Sequence, residues 1–343
     1  MERDDKKRFI QETRNHFDDY RDHNRFVWAW KEREMEIKTL KGHKKAVLCV
    51  DYVDEELFVT GGADKTIRLF YPSSTQKLSL KKKESLKPKP CKWKSKSITG
   101  HSGSVLCIKS LDDRNRLASG SSDNTIKIWD IKSKRAIQTL THHKDAVLTV
   151  IASKDHLFSG SKDWTVVQTD MTTGKLVGSF ESHQGSVHSM KLIDESTLVS
   201  ASEEGRICIW DLRSETSLAI THRADPFTSL NYNQDLEQLV TTANDGSICF
   251  WNINPISRSV VIPNADRGPL QQRWTCVYSD FHKTIAASNQ ASSILIWDNV
   301  RHSRSSLFEN AHGLSVNCLF ASKDVMITGG SDRLVKFWSC PSL

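Results

Sequence analysis

No run of about eighteen apolar residues occurs in the chain, so no transmembrane helix is expected. The opening MERDDKKRFI carries charges where a secretory leader would carry an apolar core, so no leader is expected there. No CxxC pair is present, which leaves a zinc finger without its ligand spacing. No G-x-G-x-x-G opens a helix and no Walker sequence occurs, which removes the usual phosphate-loop chemistry. Without a leader, a reducing intracellular compartment is the default, cytoplasmic or alternatively nuclear. What is present is ample for a core: 38% apolar and 26% charged residues over 343, at a formal net charge of +7.

The chain repeats itself. His101 to Asp130 contains a histidine, a short apolar strand, a turn, then L-A-S-G-S, an aspartate and I-K-I-W-D. The histidine slot holds His43, His101, His143, His183, His222 and His312. A Ser/Thr slot holds Thr60, Ser119, Ser159, Ser200, Thr241, Ala287 and Thr328, and an acidic slot Asp64, Asp123, Asp163, Glu204, Asp245, Ala291 and Asp332. An aromatic slot closes each unit with Phe70, Trp129, Thr169, Trp210, Trp251, Trp297 and Trp338. The period of about 41 residues suits a four-stranded propeller blade. I-K-I-W, I-C-I-W and I-L-I-W alternate as strands should. Cys49, Cys107, Cys276 and Cys318 recur near the start of a unit, which points to small buried strand residues. Gly61, Gly62, Gly120 and Gly160 read as residues of the turn after a strand.

These spaced near-matches resemble the WD40 repeat family from about residue 35 to residue 340. The resemblance implies an all-β, seven-bladed WD40 propeller over residues 35–343, closed by an N-terminal strand, Met35 to Leu40, that completes the last blade. It also implies a buried hydrogen-bonded chain in each blade. The complete sets are His101, Ser119, Asp123, Trp129; His222, Thr241, Asp245, Trp251; and His312, Thr328, Asp332, Trp338. The sixth unit loses three polar members together, so no buried partner should be orphaned there.

Two segments stand outside the repeat. The extension 1–34 is expected to be partly helical or disordered. Phe9, Ile10, Phe17 and Tyr20 form a loose stripe, and Phe26, Val27, Trp28 and Trp30 need cover from the propeller or from a partner. An insertion at about 77–96 carries Lys81, Lys82, Lys83, Lys87, Lys89, Lys92 and Lys94 around Trp93, against Glu84 alone. It reads either as a solvated loop or as a basic arm for RNA or another anion, with Trp93 offered for stacking. Having no arginine, such an arm would bind non-specifically and with strong salt dependence. A smaller surface loop is expected at about 257–272.

Catalytic readings lose their residues to the repeat: His101 and Asp123 recur as scaffold. His142, beside His143 and outside the slot, is a weakly supported metal ligand; no metal, cofactor or catalytic residue is assigned and no enzyme is expected. The resemblance places partners on the face around the central channel. The residues that should reach it are Lys44, Lys45, Lys144, Asp145, Lys162, Gln184, Asn244 and Ser331, with Arg223 and Trp274 as further candidates. Trp164 directly follows Asp163, where other units carry Lys65, Asn124, Gly205, Gly246 or Arg333. It is either a docking residue or a cover for the weakened third unit. The expected function is a scaffold or adaptor for a protein or peptide. The alternative is a nucleic-acid-associated propeller in an RNA-processing or ribosome-assembly particle.

Overall fold

In a computed structural model of the chain, residues 36–343 are described apart from 55–56, 74–91, 112–114, 215, 223–224, 254–256, 263–273, 280–282, 289–291, 299–302, 323–324 and 340–343. The extension 1–34, most of the lysine-rich insertion, Arg223 and the side chains of His222 and Trp274 therefore lie outside the described residues.

Alternating apolar residues between turn-forming Gly, Asp, Asn and Ser produce short antiparallel strands and little else. The first strand of the chain is β1 (Glu36–Leu40). Sheet one contains β2 (Val47–Asp54), β3 (Leu57–Gly62), β4 (Thr66–Pro72) and β5 (Trp93–Thr99). Sheet two contains β6 (Val105–Ser110), β7 (Arg116–Ser121), β8 (Ile126–Asp130) and β9 (Arg135–Leu140). Sheet three contains β10 (Val147–Ala152), β11 (His156–Ser161), β12 (Val166–Asp170) and β13 (Leu176–Phe180). Sheet four contains β14 (Val187–Leu192), β15 (Thr197–Ser202), β16 (Arg206–Asp211) and β17 (Thr216–His222). Sheet five contains β18 (Phe227–Asn233), β19 (Gln238–Ala243), β20 (Ile248–Asn252) and β21 (Ser257–Ile262). Sheet six contains β22 (Trp274–Ser279), β23 (Lys283–Ser288), β24 (Ile294–Asp298) and β25 (Ser303–Phe308). Sheet seven contains β26 (Val316–Ala321), β27 (Val325–Gly330) and β28 (Val335–Ser339), with β1 as its outer strand.

The inner strands β2, β6, β10, β14, β18, β22 and β26 neighbour one another in that order, and β26 neighbours β2. The sheets therefore form a closed ring around a channel. The ring is sealed by the pairing of Glu36–Leu40 with Ser339–Val335, which joins the start of the described chain to its end. A ring leaves no inner sheet edge free to recruit another chain.

The core lies between sheets. Gly120 shows why these strands need a glycine: a Cβ there would sit 2.5 Å from Cys107 Sγ and 2.6 Å from Val147 Cγ1. Without one, the first valine of the next sheet seats against the strand. Gly61, Gly160 and Gly329 meet the same kinds of neighbour in their own sheets. This corrects the turn assignment made for Gly61, Gly62, Gly120 and Gly160, which are strand residues.

The expectation of seven WD40 blades is also corrected: six of the sheets, not seven, are built to the repeat. In those six, the aromatic slot pairs with the residue two before the Ser/Thr slot. Leu117↔Trp129 with Ser119↔Lys127 is the pattern, and Leu157↔Thr169 with Ser159↔Val167 follows it. In sheet six Trp297 pairs with Thr284, and the residue brought into the slot is Ala286, opposite Leu295. Repeat spacing points instead to Ala287. The connection between β23 and β24 is one residue longer than that between β7 and β8, which shifts the register. The unit has no histidine, hydroxyl or carboxylate in its repeat slots to pin the turn. The indole Nε1 of Trp297 is buried with no hydrogen-bond partner among the described residues. The expectation that this sheet orphans no polar group is thereby overturned.

Candidate functional site: the loop face and the central channel

Each polar set begins as a local accident of sequence and becomes a strut. In sheet two the Trp129 indole donates to Ser119 Oγ at 2.7 Å. Ser119 and His101 Nε2 are 2.8 Å apart, and His101 Nδ1 lies 2.9 Å from Asp123 Oδ2. A carboxylate only accepts, so Nδ1 carries the proton and Nε2 accepts from the serine hydroxyl. The chain then runs in one direction, from indole to carboxylate. Burial pushes the imidazole's pKa below its ordinary value despite the neighbouring Asp123, so the ring is neutral at neutral pH. Burial opposes ionisation of Asp123, but hydrogen bonds from Thr125 and His101 outweigh it and hold the carboxyl well below the usual range.

Sheet seven repeats the arrangement: Trp338 donates to Thr328 at 3.0 Å, His312 Nε2 is 2.8 Å from Thr328, and Nδ1 is 3.1 Å from Asp332. In sheet five Trp251 donates to Thr241 at 2.9 Å; the side chain of the third member, His222, lies outside the described residues. Sheet four completes its set with Glu204, 3.1 Å from His183 Nδ1. Sheet one keeps His43, Thr60 and Asp64 with Phe70 in place of the indole. Sheet three keeps His143, Ser159 and Asp163, but the Thr169 hydroxyl that replaces the indole is fully buried and has no partner among the described residues.

The carboxylates also organise the loop face. Each accepts the backbone N–H of the residue after its histidine: Lys44 to Asp64 at 2.8 Å, Lys144 to Asp163 at 2.8 Å and Gln184 to Glu204 at 2.9 Å. Their side chains point into solvent from a fixed backbone, as does that of Lys45. Lys162 is exposed, and its N–H is held by the Ala146 carbonyl. The Asp145 carboxylate accepts from the N–H of Ala146 at 2.6 Å. Asn244 is half-buried and tied to the Pro226 carbonyl. Ser331 is engaged with Ser315 Oγ at 2.7 Å and with Asn317 Nδ2 at 3.0 Å, so of the candidates it is the most committed to internal bonding.

Trp164 is the most distinctive residue of this face. It is 53% exposed and has φ 75°. Lys65, Asn124, Gly205, Gly246 and Arg333 occupy the same turn position in other sheets, also with positive φ. A left-handed conformation costs an L-residue about 1–2 kcal/mol, and asparagine and glycine tolerate it best. The turn is thus built for small or polar residues, and in sheet three it presents an indole. Lys144, Lys162 and Trp164 are gathered around one carboxylate, that of Asp163. Trp93 differs: its ring is half-buried against Phe58 and Phe337, with centroids 5.2 Å and 5.0 Å away, so it packs the outer strand of sheet one. Lys92 and Lys94 beside it are exposed.

The sequence model described as "WD domain, G-beta repeat" matches residues 34–70, 92–130, 134–170, 174–211, 215–252 and 304–339. The chain belongs to the WD40 repeat family. The six matched WD40 segments leave out residues 253–303, which contain the inner three strands of sheet six, in agreement with its shifted register. The chain is 28% identical over 198 residues to mitogen-activated protein kinase kinase kinase A of Dictyostelium discoideum, covering 48% of this chain and 21% of that one. It is 29% identical over 189 residues to the U3 small nucleolar RNA-associated protein 15 homolog of Gallus gallus, covering 54% and 33%. It is 26% identical over 185 residues to pre-mRNA-processing factor 19 of Bos taurus, covering 52% and 33%. The matches thus span a third or less of each relative's own length. Among solved structures, the WD40 β-propeller domain of Doa1 superposes with a TM-score of 0.74 at 19% identity, covering 90% of this chain and 98% of that one.

The WD40 propeller is a common scaffold for protein interaction. No group of three or more His, Cys, Asp or Glu residues suited to a metal ion occurs among the described residues. No helix among them is long and apolar enough to cross a membrane. The repeat histidines whose side chains are described have both ring nitrogens engaged. His142 places Nε2 3.1 Å from the Gly174 carbonyl.

Sequence reasoning missed a second cluster, deep in the channel. Asp51 on β2 accepts from Lys109 Nζ at 3.1 Å, Ser110 N at 2.6 Å and Ser110 Oγ at 2.7 Å. Lys191 holds the equivalent position on β14. The available signal was a charged residue at the fifth position of three otherwise mainly apolar inner strands.

Proposed function

We propose that this chain is a non-enzymatic adaptor that binds a protein or peptide segment on the loop face, with Trp164 as the apolar anchor. The observation that carries the reading is the half-exposed indole held in a left-handed turn among pinned loops. Fixed loops lower the ordering cost of binding, and tryptophan is over-represented among residues that dominate binding energy. Exposed Lys44, Lys45, Lys65, Lys144 and Lys162 favour an acidic segment. The five cysteines whose side chains are described are buried free thiols, which suits action in a reducing compartment, cytoplasmic or nuclear.

The test is quantitative affinity capture with full-length protein, comparing wild type with Trp164→Asn. Asn124 occupies the same turn at φ 67°, so the variant keeps the backbone. Loss of a hot-spot tryptophan weakens partner binding by about 2 kcal/mol or more, some thirtyfold. Equal capture by both proteins would remove Trp164 from the interface.

A second reading has its own observation. Lys92, Lys94 and Lys96 are exposed at and along β5, continuous with the lysine-rich segment 77–91. Two relatives carry RNA-related names, the U3 small nucleolar RNA-associated and pre-mRNA-processing proteins. Capture that nuclease or a rise from about 50 to about 300 mM salt abolishes would favour this basic arm over the loop face.

A further inference from the structure

Among the described residues, Arg68 on β4 is the one charged side chain with a buried polar atom that has no partner, its Nε. Its one hydrogen bond among them runs from Nη1 to Ser95 Oγ at a long 3.3 Å, and no described carboxylate lies within ion-pair reach. The guanidinium is wedged over Gly42, in the connection between sheets seven and one. A Cβ on Gly42 would meet Arg68 Cδ at 2.9 Å and Nη1 at 3.0 Å. Arg206 of sheet four also reaches the residue before its histidine, but there the charge is answered. It donates to the Ser182 carbonyl at 2.9 Å and holds Glu204 3.9 Å from its Nε. Arg68 is a half-buried fork of five donors with a single weak bond, a group that an oxyanion would satisfy.

The strand register places a hydroxyl beside it. Arg68 pairs with Ser97 across β4 and β5, so the two side chains share a face with their Cβ atoms about 5 Å apart. Ser97 is exposed, on a strand whose outer edge is unpaired, whereas Ser95 is half-buried and already engaged with Arg68. Lys96, Lys94 and Lys92 stand one, three and five residues before Ser97, all exposed. Lys94 and Lys96 lie on the face of β5 opposite to Ser97, so they are free to be gripped without disturbing Arg68. No acidic residue occurs from 85 to 110.

We propose that Ser97 is a phosphorylation site and that Arg68 receives its phosphate. The co-reactant is ATP on a serine/threonine kinase that selects basic residues before the acceptor. Ser97 Oγ forms the new bond to the γ-phosphorus, the bond from that phosphorus to the ADP oxygen breaks, and the hydroxyl proton passes to the kinase's base. The product carries three acceptor oxygens and a charge of about −1.5 to −2, matched to a planar guanidinium that pairs bidentately with it. The pair ties β5 to β4 and to the connection at Gly42, and it cancels part of the positive charge of Lys92, Lys94 and Lys96. The site does not depend on Trp164 or on any loop-face partner.

The test has two arms, both on full-length protein. In the first, phosphoserine is incorporated at position 97 during translation and titrated by phosphorus NMR. The second ionisation of the phosphate, ordinarily near pH ~6, should shift to lower pH, with proton affinity reduced about tenfold. Arg68→Met should abolish the shift, and the rise in unfolding temperature that the phosphate brings should vanish with it. If the methionine variant fails to fold, Arg68→Gln takes its place. In the second arm, unmodified protein is incubated with ATP and the catalytic subunit of cyclic-AMP-dependent protein kinase, and the sites are mapped by mass spectrometry. Phosphate is expected on Ser97, reduced about tenfold by Lys94→Gln. A phosphate that titrates at its ordinary pH, or is shifted equally in the Arg68 variant, overturns the role of Arg68. Phosphate absent from Ser97, or found on Ser95 alone, overturns the site.

Discussion

Replacing Ser119 by alanine tests the strut that holds the loop face. The hydroxyl is fully buried, receives the Trp129 indole at 2.7 Å and donates to His101 Nε2 at 2.8 Å. Its removal leaves one buried donor and one buried acceptor unpaired. Each orphaned group costs about 1–3 kcal/mol, so Ser119→Ala should lose about 2–6 kcal/mol. That is a large fraction of the ~5–15 kcal/mol that holds a typical domain together. Guanidinium unfolding followed by far-ultraviolet circular dichroism measures it.

A double-mutant cycle with Trp129→Phe sharpens the test. Sheet one already lives with this exchange: Phe70 occupies the aromatic slot while His43, Thr60 and Asp64 keep their bonds. If the indole–serine bond is the coupling, the double variant should lose about 1 kcal/mol less than the two single losses added together. A Ser119→Ala loss below ~0.5 kcal/mol, or strict additivity, would refute the reasoning, since surface-like changes fall in that range.

Other consequences follow from the incomplete sets. Thr169→Val removes a buried hydroxyl that has no partner among the described residues and keeps the shape, so the unfolding midpoint should rise by about 1 kcal/mol equivalent; a fall would reveal a partner for that hydroxyl. Ala286→Ser should give the Trp297 indole the acceptor it lacks and stabilise by ~1 kcal/mol, whereas Ala287→Ser should not. Stability should decline with falling pH in two stages. His43, His101, His143, His183 and His312 have folded-state pKa values below their ordinary 6.5, so the native state binds fewer protons and stability is lost as pH falls below 6.5. Asp64, Asp123, Asp163 and Asp332, also depressed, add a further loss below about pH 4. Equilibrium unfolding at a series of pH values checks both stages, and a stability maximum near pH 5 would contradict the neutral histidines.

The repeat is legible because it is written in residues with few substitutes at fixed spacings. A Trp–Ser–His–Asp chain needs those donors and acceptors at those spacings, and β1 is recognisable from its resemblance to the Ile137–Leu140 stretch of β9. Sheet six is misread for the same reason. Counting back from Trp297 assumes a turn of fixed length, and a turn without its carboxylate is free to take one more residue, so spacing selects Ala287 where the register places Ala286. The lysine neighbours of Trp93 suggest a free ring, whereas the alternation of β5 turns it toward Phe58 and Phe337.

The channel charges escape for a deeper reason. Repeat logic compares a position with its equivalents, and at the fifth position of the inner strand the equivalents are Asp, Lys, Ile, Lys, Asn, Tyr and Phe. Such a column looks like noise in sequence, because the scaffold does not constrain it. In the ring several of them take up chemistry of their own against the neighbouring inner strand: Asp51 accepts from Ser110, Asn231 donates to the Val277 carbonyl and Phe320 stacks on Tyr52. The scaffold's indifference is what leaves the position free for individual chemistry. Residues that make this chain a WD40 propeller and residues that distinguish it from other propellers therefore occupy different places: the first lie between sheets, where a missing hydroxyl costs stability. The second, of which Trp164 at the turn is the clearest, are those whose presence the fold does not require.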